Sequence, residues 1–276
     1  MTARIGVTGS TGVVGGGVAR GLADAGIATR LIVRSPVKAP ELPGTEVAVA
    51  AYGDRADSEA ALAGIQTLFM VSAAEHPDRL AQHLDFVDAA AAAGVQRIVY
   101  TSFFGASPES TFLLGRDHWH TEERIRASGM HFTLLRDNLY ADFLPLFGGE
   151  DGVLRGPAGD GRLAAVARAD VTDVAVAVLK AAAVVEPGSS AHDGTVYHLT
   201  GPQSLTLAEY AAILTRVTGR AFSFRNESIE EAYASRAVFD APDWMVDAWV
   251  STYTAIAVGE MDGVTGDVEQ VSGHPP

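Results

Sequence analysis

Short apolar runs of strand length alternate along the chain with segments whose apolar positions recur every three or four residues, the pattern of parallel strands joined by helices. The first unit is Ile5-Gly6-Val7-Thr8, a glycine-rich turn, and then Val13-Val14 opening a helix. Thr29 to Val33 follows at the spacing of the second strand of a βαβ unit, and Glu46 to Ala50 predicts a third strand ending at Ala51 to Asp54. Thr67 to Val71 is a continuous apolar run, as expected for a parallel strand buried on both faces. From Pro77 to Ala93, Leu80, Leu84, Val87 and Ala91 mark an amphipathic helix closed by Gly94. Val95 to Ser102 reads as the next strand, Arg116 to Arg126 as a polar helix stopped at Gly129, and His131 to Arg136 as another strand. The pattern predicts an α/β fold with a doubly wound parallel sheet and right-handed crossovers.

After Tyr140 the composition changes, and the Gly/Pro/Asp-rich run Gly148 to Gly161 reads as a loop. A soft boundary there divides the chain into a dinucleotide-binding part, 1–150, and a smaller α/β lobe, 151–276, with later segments completing the first part's sheet. Asp170 is the expected N-cap of a helix running to about Val184, with Asp173 suited to its positive end. Thr195 to Thr200 reads as a strand, Thr206 as the cap of a helix from Leu207 to Val217, and two further helical segments cover Ile229 to Val258. No internal repeat is evident.

Gly9, Gly12 and Gly15 fall three apart, a spacing that lets bare backbone turn tightly, approach a pyrophosphate and pack a helix closely on its strand. The N–H groups of Gly12, Val13 and Val14 then face the anion, with Thr8, Ser10 and Thr11 around them. In versions of this unit that prefer NAD, an acidic residue ends the second strand and binds the ribose hydroxyls. Here Arg34 holds that place, and a guanidinium suits the 2′-phosphate of NADP; Arg34-Ser35-Pro36 is equally compatible with turn chemistry. Asp54 has two readings, a helix N-cap or an acceptor for the adenine amino group. Val71, Ser72 and Ala73 lie at a strand's carboxyl end, where ligands bind in such sheets, and Thr101 and Ser102 end the strand where the nicotinamide half would sit.

Composition narrows the chemistry. The chain of 276 residues is 47% hydrophobic, enough for one large core or a core with a smaller lobe. It has no cysteine, which excludes disulfides, thiolate catalysis and cysteine-bound metal. A net charge of −14 opposes binding to nucleic acid or to anionic membranes, and no apolar run reaches the ~20 residues of a membrane span. Met1 to Arg4 leave no room for a signal segment ahead of the first strand, so the cytoplasm is the expected location. A homo-oligomer is compatible with the sequence. No metal is expected, because His118 and His120 are two apart and point to different sides of a helix.

Thr8 to Gly15, Leu31 to Arg34, Tyr100-Thr101-Ser102, Ser128-Gly129 with Phe132 to Arg136, and Tyr197 to Pro202 together resemble the NmrA-like atypical short-chain dehydrogenases, which include bacterial NAD(P)H:quinone oxidoreductases and triphenylmethane reductases. The resemblance implies a Rossmann domain holding NADPH, a C-terminal lobe walling the substrate cleft, and a small-molecule electron acceptor. One departure from the wider superfamily stands out. Its Tyr-x-x-x-Lys pair, in which tyrosine protonates a carbonyl oxygen and lysine lowers its pKa, is absent: neither Lys38 nor Lys180 has a tyrosine four residues earlier. The helix in question instead presents His118 and Glu122, so His118 is the candidate catalytic group, with a surface pairing to Glu122 as its alternative role. Hydride addition to a quinone leaves a conjugated, stabilised anion and needs a strong acid less than a simple ketone does. Phe103, Phe104, Trp119, Asn138 and Tyr140 are candidates to line the acceptor pocket, the aromatics being equally suited to the core. The competing expectation is a protein that senses dinucleotides without reducing a substrate and acts through a protein partner.

Overall fold

The computed structural model describes residues 4–276, so Met1, Thr2 and Ala3, the expected lead into the first strand, lie outside the described residues. In chain order the first half contains β1 (Ile5–Thr8), α1 (Val13–Asp24), β2 (Thr29–Val33), β3 (Thr45–Val49), α2 (Arg55–Leu62), β4 (Thr67–Met70), α3 (Arg79–Ala92), β5 (Arg97–Phe103), α4 (Leu113–Ala127) and β6 (His131–Asp137). The second half adds α5 (Leu144–Phe147), β7 (Val153–Gly156), β8 (Arg162–Leu163), α6 (Arg168–Ala183), β9 (Thr195–Leu199), β10 (Leu205–Thr206), α7 (Leu207–Thr218), β11 (Ser223–Asn226), α8 (Ile229–Arg236), α9 (Asp243–Ala257) and α10 (Asp267–Ser272).

Seven strands form one parallel sheet in the order β3-β2-β1-β4-β5-β6-β9, the doubly wound arrangement that the sequence pattern predicts. The continuous apolar runs are its centre: every residue of β1, β4 and β5 is buried. Val7, Leu31, Phe69, Val99 and Leu135 pack on one face with Val18 and Leu22 of α1 and Val171, Val174 and Val178 of α6. Ile32, Leu68, Met70, Ile98, Tyr100 and Leu134 pack on the other with Leu62, Phe86 and Ile125 from α2, α3 and α4. Because the strands are parallel, all their carboxyl ends meet at one edge, and the loops that follow them form the cleft.

Several local expectations change. The run from Gly148 to Gly161 is not all loop, since it contains β7, which pairs with β11 some seventy residues away. Its mixed composition hid a strand stabilised by a distant partner. The helix α6 begins at Arg168 with Ala167 as N-cap, so Asp170 sits inside the first turn, still facing the positive end, and Asp173 meets His274 at 3.2 Å. On α3 the buried face is partly turned from the one that Leu80, Leu84, Val87 and Ala91 predict, Val87 alone of the four being fully buried. Arg79, His83, Phe86 and Ala90 are buried, while Leu80, Leu84 and Ala91 are only half-buried, because both polar side chains find hydrogen-bond partners inside. Thr206 caps α7 in a full capping box with Glu209, as its position predicts. The helix α10 carries no sequence expectation and packs on β9 and α6 through Val268.

The strand β5 starts with a buried cation. Arg97, 1% exposed, gives Nε and Nη2 to the two carboxylate oxygens of Asp193 at 2.6 and 2.9 Å, and its remaining N–H groups reach the carbonyls of Ala182 and Glu186 at the end of α6. This one side chain ties the sheet's amino edge to α6 and to the loop before β9. Arg97→Met is expected to lower the unfolding free energy by about 3–5 kcal/mol, because it leaves Asp193 buried without its counter-charge; urea denaturation of the two proteins measures it.

Candidate active site

The turn between β1 and α1 is shaped by contacts that exclude side chains. Gly9 takes φ +64°, and a Cβ on Gly15 would stand 2.4 Å from the Gly9 carbonyl oxygen, so α1 sits with its backbone against the turn. Gly12 differs. It is the N-cap of α1 at φ −97°, its N–H donates to the Gly9 carbonyl at 2.9 Å, and a Cβ there would meet only that oxygen, at 3.4 Å. The fold does not require glycine at position 12, so the open space beside it is available to a ligand. No side chain caps α1 and no acidic residue lies in its first turn, which leaves the positive helix end uncompensated. Beside it the hydroxyl of Ser10 is buried without a hydrogen-bond partner.

A cavity of about 440 Å³ opens from this turn along the sheet's carboxyl edge. Its walls include Thr8 to Thr11, Val33 and Arg34 after β2, Ala51 to Gly53 after β3, and Val71 to His76 after β4. Gly12, Val13, Val14, Asp54, Thr101 and Ser102 do not line it. Val13 is exposed and Val14 buried beneath α1. Asp54 caps α2, its Oδ1 accepting the Asp57 N–H at 3.1 Å. Arg34 is exposed on the cavity's rim and has no ion-pair partner among the described residues.

The cavity walls are held by hydrogen bonds from below. Thr8 Oγ1 lies 2.6 Å from Tyr52 Oη and accepts the Val71 N–H at 2.9 Å, while Tyr52 Oη donates to the Val71 carbonyl at 2.6 Å. Burial raises the Tyr52 phenol above its ordinary pKa, so it remains a donor. Thr101 Oγ1 accepts the Ser72 N–H at 2.8 Å. The Ala73 N–H donates to His83 Nε2 at 2.8 Å, and Arg79 Nε donates to the Ala73 carbonyl at 3.0 Å. Thr101 thus supports the loop through its oxygen and keeps its proton for another acceptor. Tyr52, Arg79 and His83 are structural members of the site that the sequence pattern did not mark; the position of Tyr52 just after a predicted strand was the available signal.

His118 is 6% exposed and fully engaged. Arg79 Nη2 donates to its Nε2 at 3.0 Å, so the proton of the neutral ring lies on Nδ1 and is directed to Tyr100 Oη at 3.0 Å. Burial, and then the Arg79 charge, hold its pKa well below the usual histidine value, and the ring is neutral at pH 7. The alternative pairing with Glu122 is also absent. Glu122 is fully buried and accepts two hydrogen bonds from Arg136, at 2.8 and 2.7 Å, and one from Ser102 at 2.5 Å. Helical spacing put His118 and Glu122 on one face, but α3 and β5 supply the partners of His118, and β5 and β6 those of Glu122.

The proposed acceptor-side residues separate. Phe103 is core, its ring tilted against Phe112, and Trp119 lies against His120 on α4. Asn138 is buried with its amide spent on the Met261 carbonyl and the Leu139 N–H. Phe104 is half-buried beside His198 and its N–H donates to the Asp137 carbonyl. Tyr140 packs against the apolar cluster under α1 and α6 and donates to Asp137 Oδ2 at 2.8 Å.

The family model for NmrA-like proteins matches residues 1–264. The chain belongs to the NmrA-like family. It is 34% identical over 278 residues to quinone oxidoreductase 2 of Escherichia coli, covering 98% of this chain and 94% of that protein. The crystal structure of an NADPH-dependent quinone oxidoreductase from E. coli, complexed with NADPH, superposes with a TM-score of 0.87 at 33% identity over 98% of this chain and 95% of the other. The Citrobacter triphenylmethane reductase complexed with NADP(H) gives 0.83 at 30% identity, over 99% and 96% of the two chains.

In this NmrA-like chain the residues present fit a dinucleotide phosphate. An uncapped helix start, an unpartnered buried hydroxyl and a position where only space is reserved converge on one spot. Among the described residues no cluster of His, Asp or Glu is arranged to hold a metal ion, and no helix is long and apolar enough to cross a membrane. The two glycines should respond differently to alanine. Gly15→Ala is expected to destabilise the fold by about 1–3 kcal/mol, since backbone must move to admit the methyl group, whereas Gly12→Ala should cost about 1 kcal/mol or less. Thermal unfolding of both variants checks this.

Proposed function

We propose that this protein is an NADPH-dependent reductase that passes hydride to a quinone-like or otherwise conjugated small-molecule acceptor without a Tyr-x-x-x-Lys pair. The observation that carries the reading is the cradle: the open start of α1, with the unpartnered Ser10 hydroxyl beside it and the free Arg34 guanidinium on the same cavity rim. Family relatives named a quinone oxidoreductase and, for the solved structure, an NADPH-dependent one support it. The backbone from Gly9 to Val14, apart from the Gly12 N–H that the Gly9 carbonyl already holds, and the Ser10 hydroxyl bind the pyrophosphate, Arg34 binds the 2′-phosphate, and the Ser72-Ala73 loop and the Thr101 hydroxyl orient the nicotinamide half. Bound NADPH supplies a hydride, that is, two electrons with a hydrogen nucleus, to an electrophilic carbon of the acceptor. Phe104 and Tyr140 line the acceptor side, and the part of residues 151–276 outside α6, β9 and α10, which belong to the main sheet and its cover, forms the wall opposite the part of the chain that binds the cofactor. The reading places the protein in the cytoplasm, as expected of an enzyme drawing on NADPH, with no nucleic-acid partner at a net charge of −14.

Two measurements test it. Arg34→Ala should weaken NADPH binding by about 1.5–3 kcal/mol while leaving NADH nearly untouched; an unchanged ratio of the two dissociation constants would remove Arg34 from the role. The purified protein should oxidise NADPH with a benzoquinone faster than the protein-free control and faster than Gly12→Val, whose branched side chain fills the pyrophosphate space. Tight NADPH binding with no turnover across a quinone and dye panel would replace the reductase by a dinucleotide sensor.

A further inference from the structure

We propose that Asp137 is the catalytic acid that protonates the reduced acceptor, with Tyr140 holding its carboxyl group in place. This inference rests on the reductase reading above. Asp137 is the last residue of β6, at the sheet edge where the cleft opens, beside Phe103 of β5 and Leu199 of β9 in register. It is 6% exposed. Tyr140 donates to Oδ2 at 2.8 Å, and Oδ1 has no hydrogen-bond partner among the described residues. Oδ1 keeps contact with solvent, so one oxygen of the carboxyl group is fixed and the other is open to a ligand. Tyr140 in turn packs, as does Val71 of the cofactor loop, against the apolar cluster between α1, α6 and the sheet, which places the pair on the α1 side of the sheet.

The other polar groups at these strand ends are engaged or face away, His198 pairing in register with Arg136 and so pointing to the sheet face opposite Asp137. Both His118 nitrogens are engaged, Ser102 donates to Glu122, Glu122 is held by Arg136, and the Asn138 amide is spent. The Tyr140 proton is directed to Asp137. Charged groups near the carboxyl are few. Arg168 of α6 and Asp142 face Tyr140 and lie 3.4 Å apart, and the strand neighbours Phe103 and Leu199 carry none. Burial lifts the Asp137 carboxyl to about 8, with the Tyr140 hydrogen bond pulling the other way, so the acid is protonated at pH 7 and close to the ideal strength for proton donation there.

The step balances simply. Hydride addition reduces the quinone by two electrons and leaves negative charge on its oxygen; the Oδ1–H bond of Asp137 breaks, the new O–H bond forms on the product, and the carboxylate regains its proton from water. A cationic triphenylmethane dye needs no such proton, because hydride alone converts the cation to the neutral leuco form. The two acceptors therefore separate hydride delivery from acid catalysis.

The test compares the full-length wild type, Asp137→Asn and Tyr140→Phe in NADPH oxidation with a benzoquinone and with a cationic triphenylmethane dye. For the wild type, kcat with the quinone should be level near pH 7 and fall about tenfold per unit above pH 8, as the acid is lost. Asp137→Asn should lower the ratio of quinone to dye turnover by about tenfold or more at pH 7 and abolish the alkaline fall. Tyr140→Phe should move that fall to higher pH, since it deletes a hydrogen bond that favours the carboxylate. An Asp137→Asn enzyme with the wild-type ratio and the wild-type pH profile overturns the assignment. If that variant fails to fold, an unmoved profile in Tyr140→Phe does so instead. A wild type that binds NADPH but reduces neither acceptor overturns the reductase reading, a different failure from an active wild type indifferent to Asp137.

Discussion

One backbone contact sets the geometry of this protein: α1 lies so close to the turn after β1 that the Gly15 position has no room for a side chain against the Gly9 carbonyl. That approach points the start of α1 across the carboxyl edge of the sheet and leaves its first N–H groups without side-chain caps. The same helix is gripped from behind by α6, where Thr172 and Val176 stand against Gly17 and Gly21 at distances that also exclude a Cβ. The N-cap of α1 is Gly12, which has no side chain to accept its first N–H groups, and the positive helix end stays open for an anion.

The floor of the cleft obeys a different rule. Here polar side chains are buried and each finds a partner, so the loop after β4 is held by Thr8, Tyr52, Thr101, Arg79 and His83 rather than by apolar packing. Burying these groups unsatisfied would cost several kcal/mol, and the network makes their positions mutually dependent. Arg79 acts at both ends of it, donating to the Ala73 carbonyl, to Asp117 at 3.0 Å and to His118. A fixed loop narrows the positions that a bound dinucleotide can take. Orientation is the contribution a scaffold of this kind makes to hydride transfer.

On the acceptor side the polar groups divide into those that have finished their bonding and those that have not. Ser102, Glu122 and Arg136 form a closed set, and so do Asn138 and the Met261 carbonyl. Thr101 and Asp137 retain bonding capacity, one as a donor and the other through an unused oxygen. The missing Tyr-x-x-x-Lys pair therefore does not leave an inert edge. It leaves one where groups at the strand ends, rather than on the helix after β5, keep bonding capacity.

The sequence by itself determined the fold class, the glycine cradle, the order of the first six parallel strands along the chain and the cap of α7. These follow from local or periodic constraints: a continuous apolar run needs two covered faces, and a glycine triplet at a strand end serves a close approach. It also put Arg34 at the end of β2, because the length of a βαβ unit is nearly constant. Only the tertiary structure decided which polar residues have work left to do. His118 and Glu122 share a helical face in any reading of α4, but their partners, Arg79 with Tyr100 and Arg136 with Ser102, come from α3, β5 and β6. The strand β7 depends on β11 in the same way, and the buried face of α3 on acceptors in the loop before it and in α4. Asp137 shows the limit most directly. Nothing in its neighbours along the chain marks it, and its weak acidity arises from the sheet and helices that remove water around it, an effect that exists only once the chain has folded.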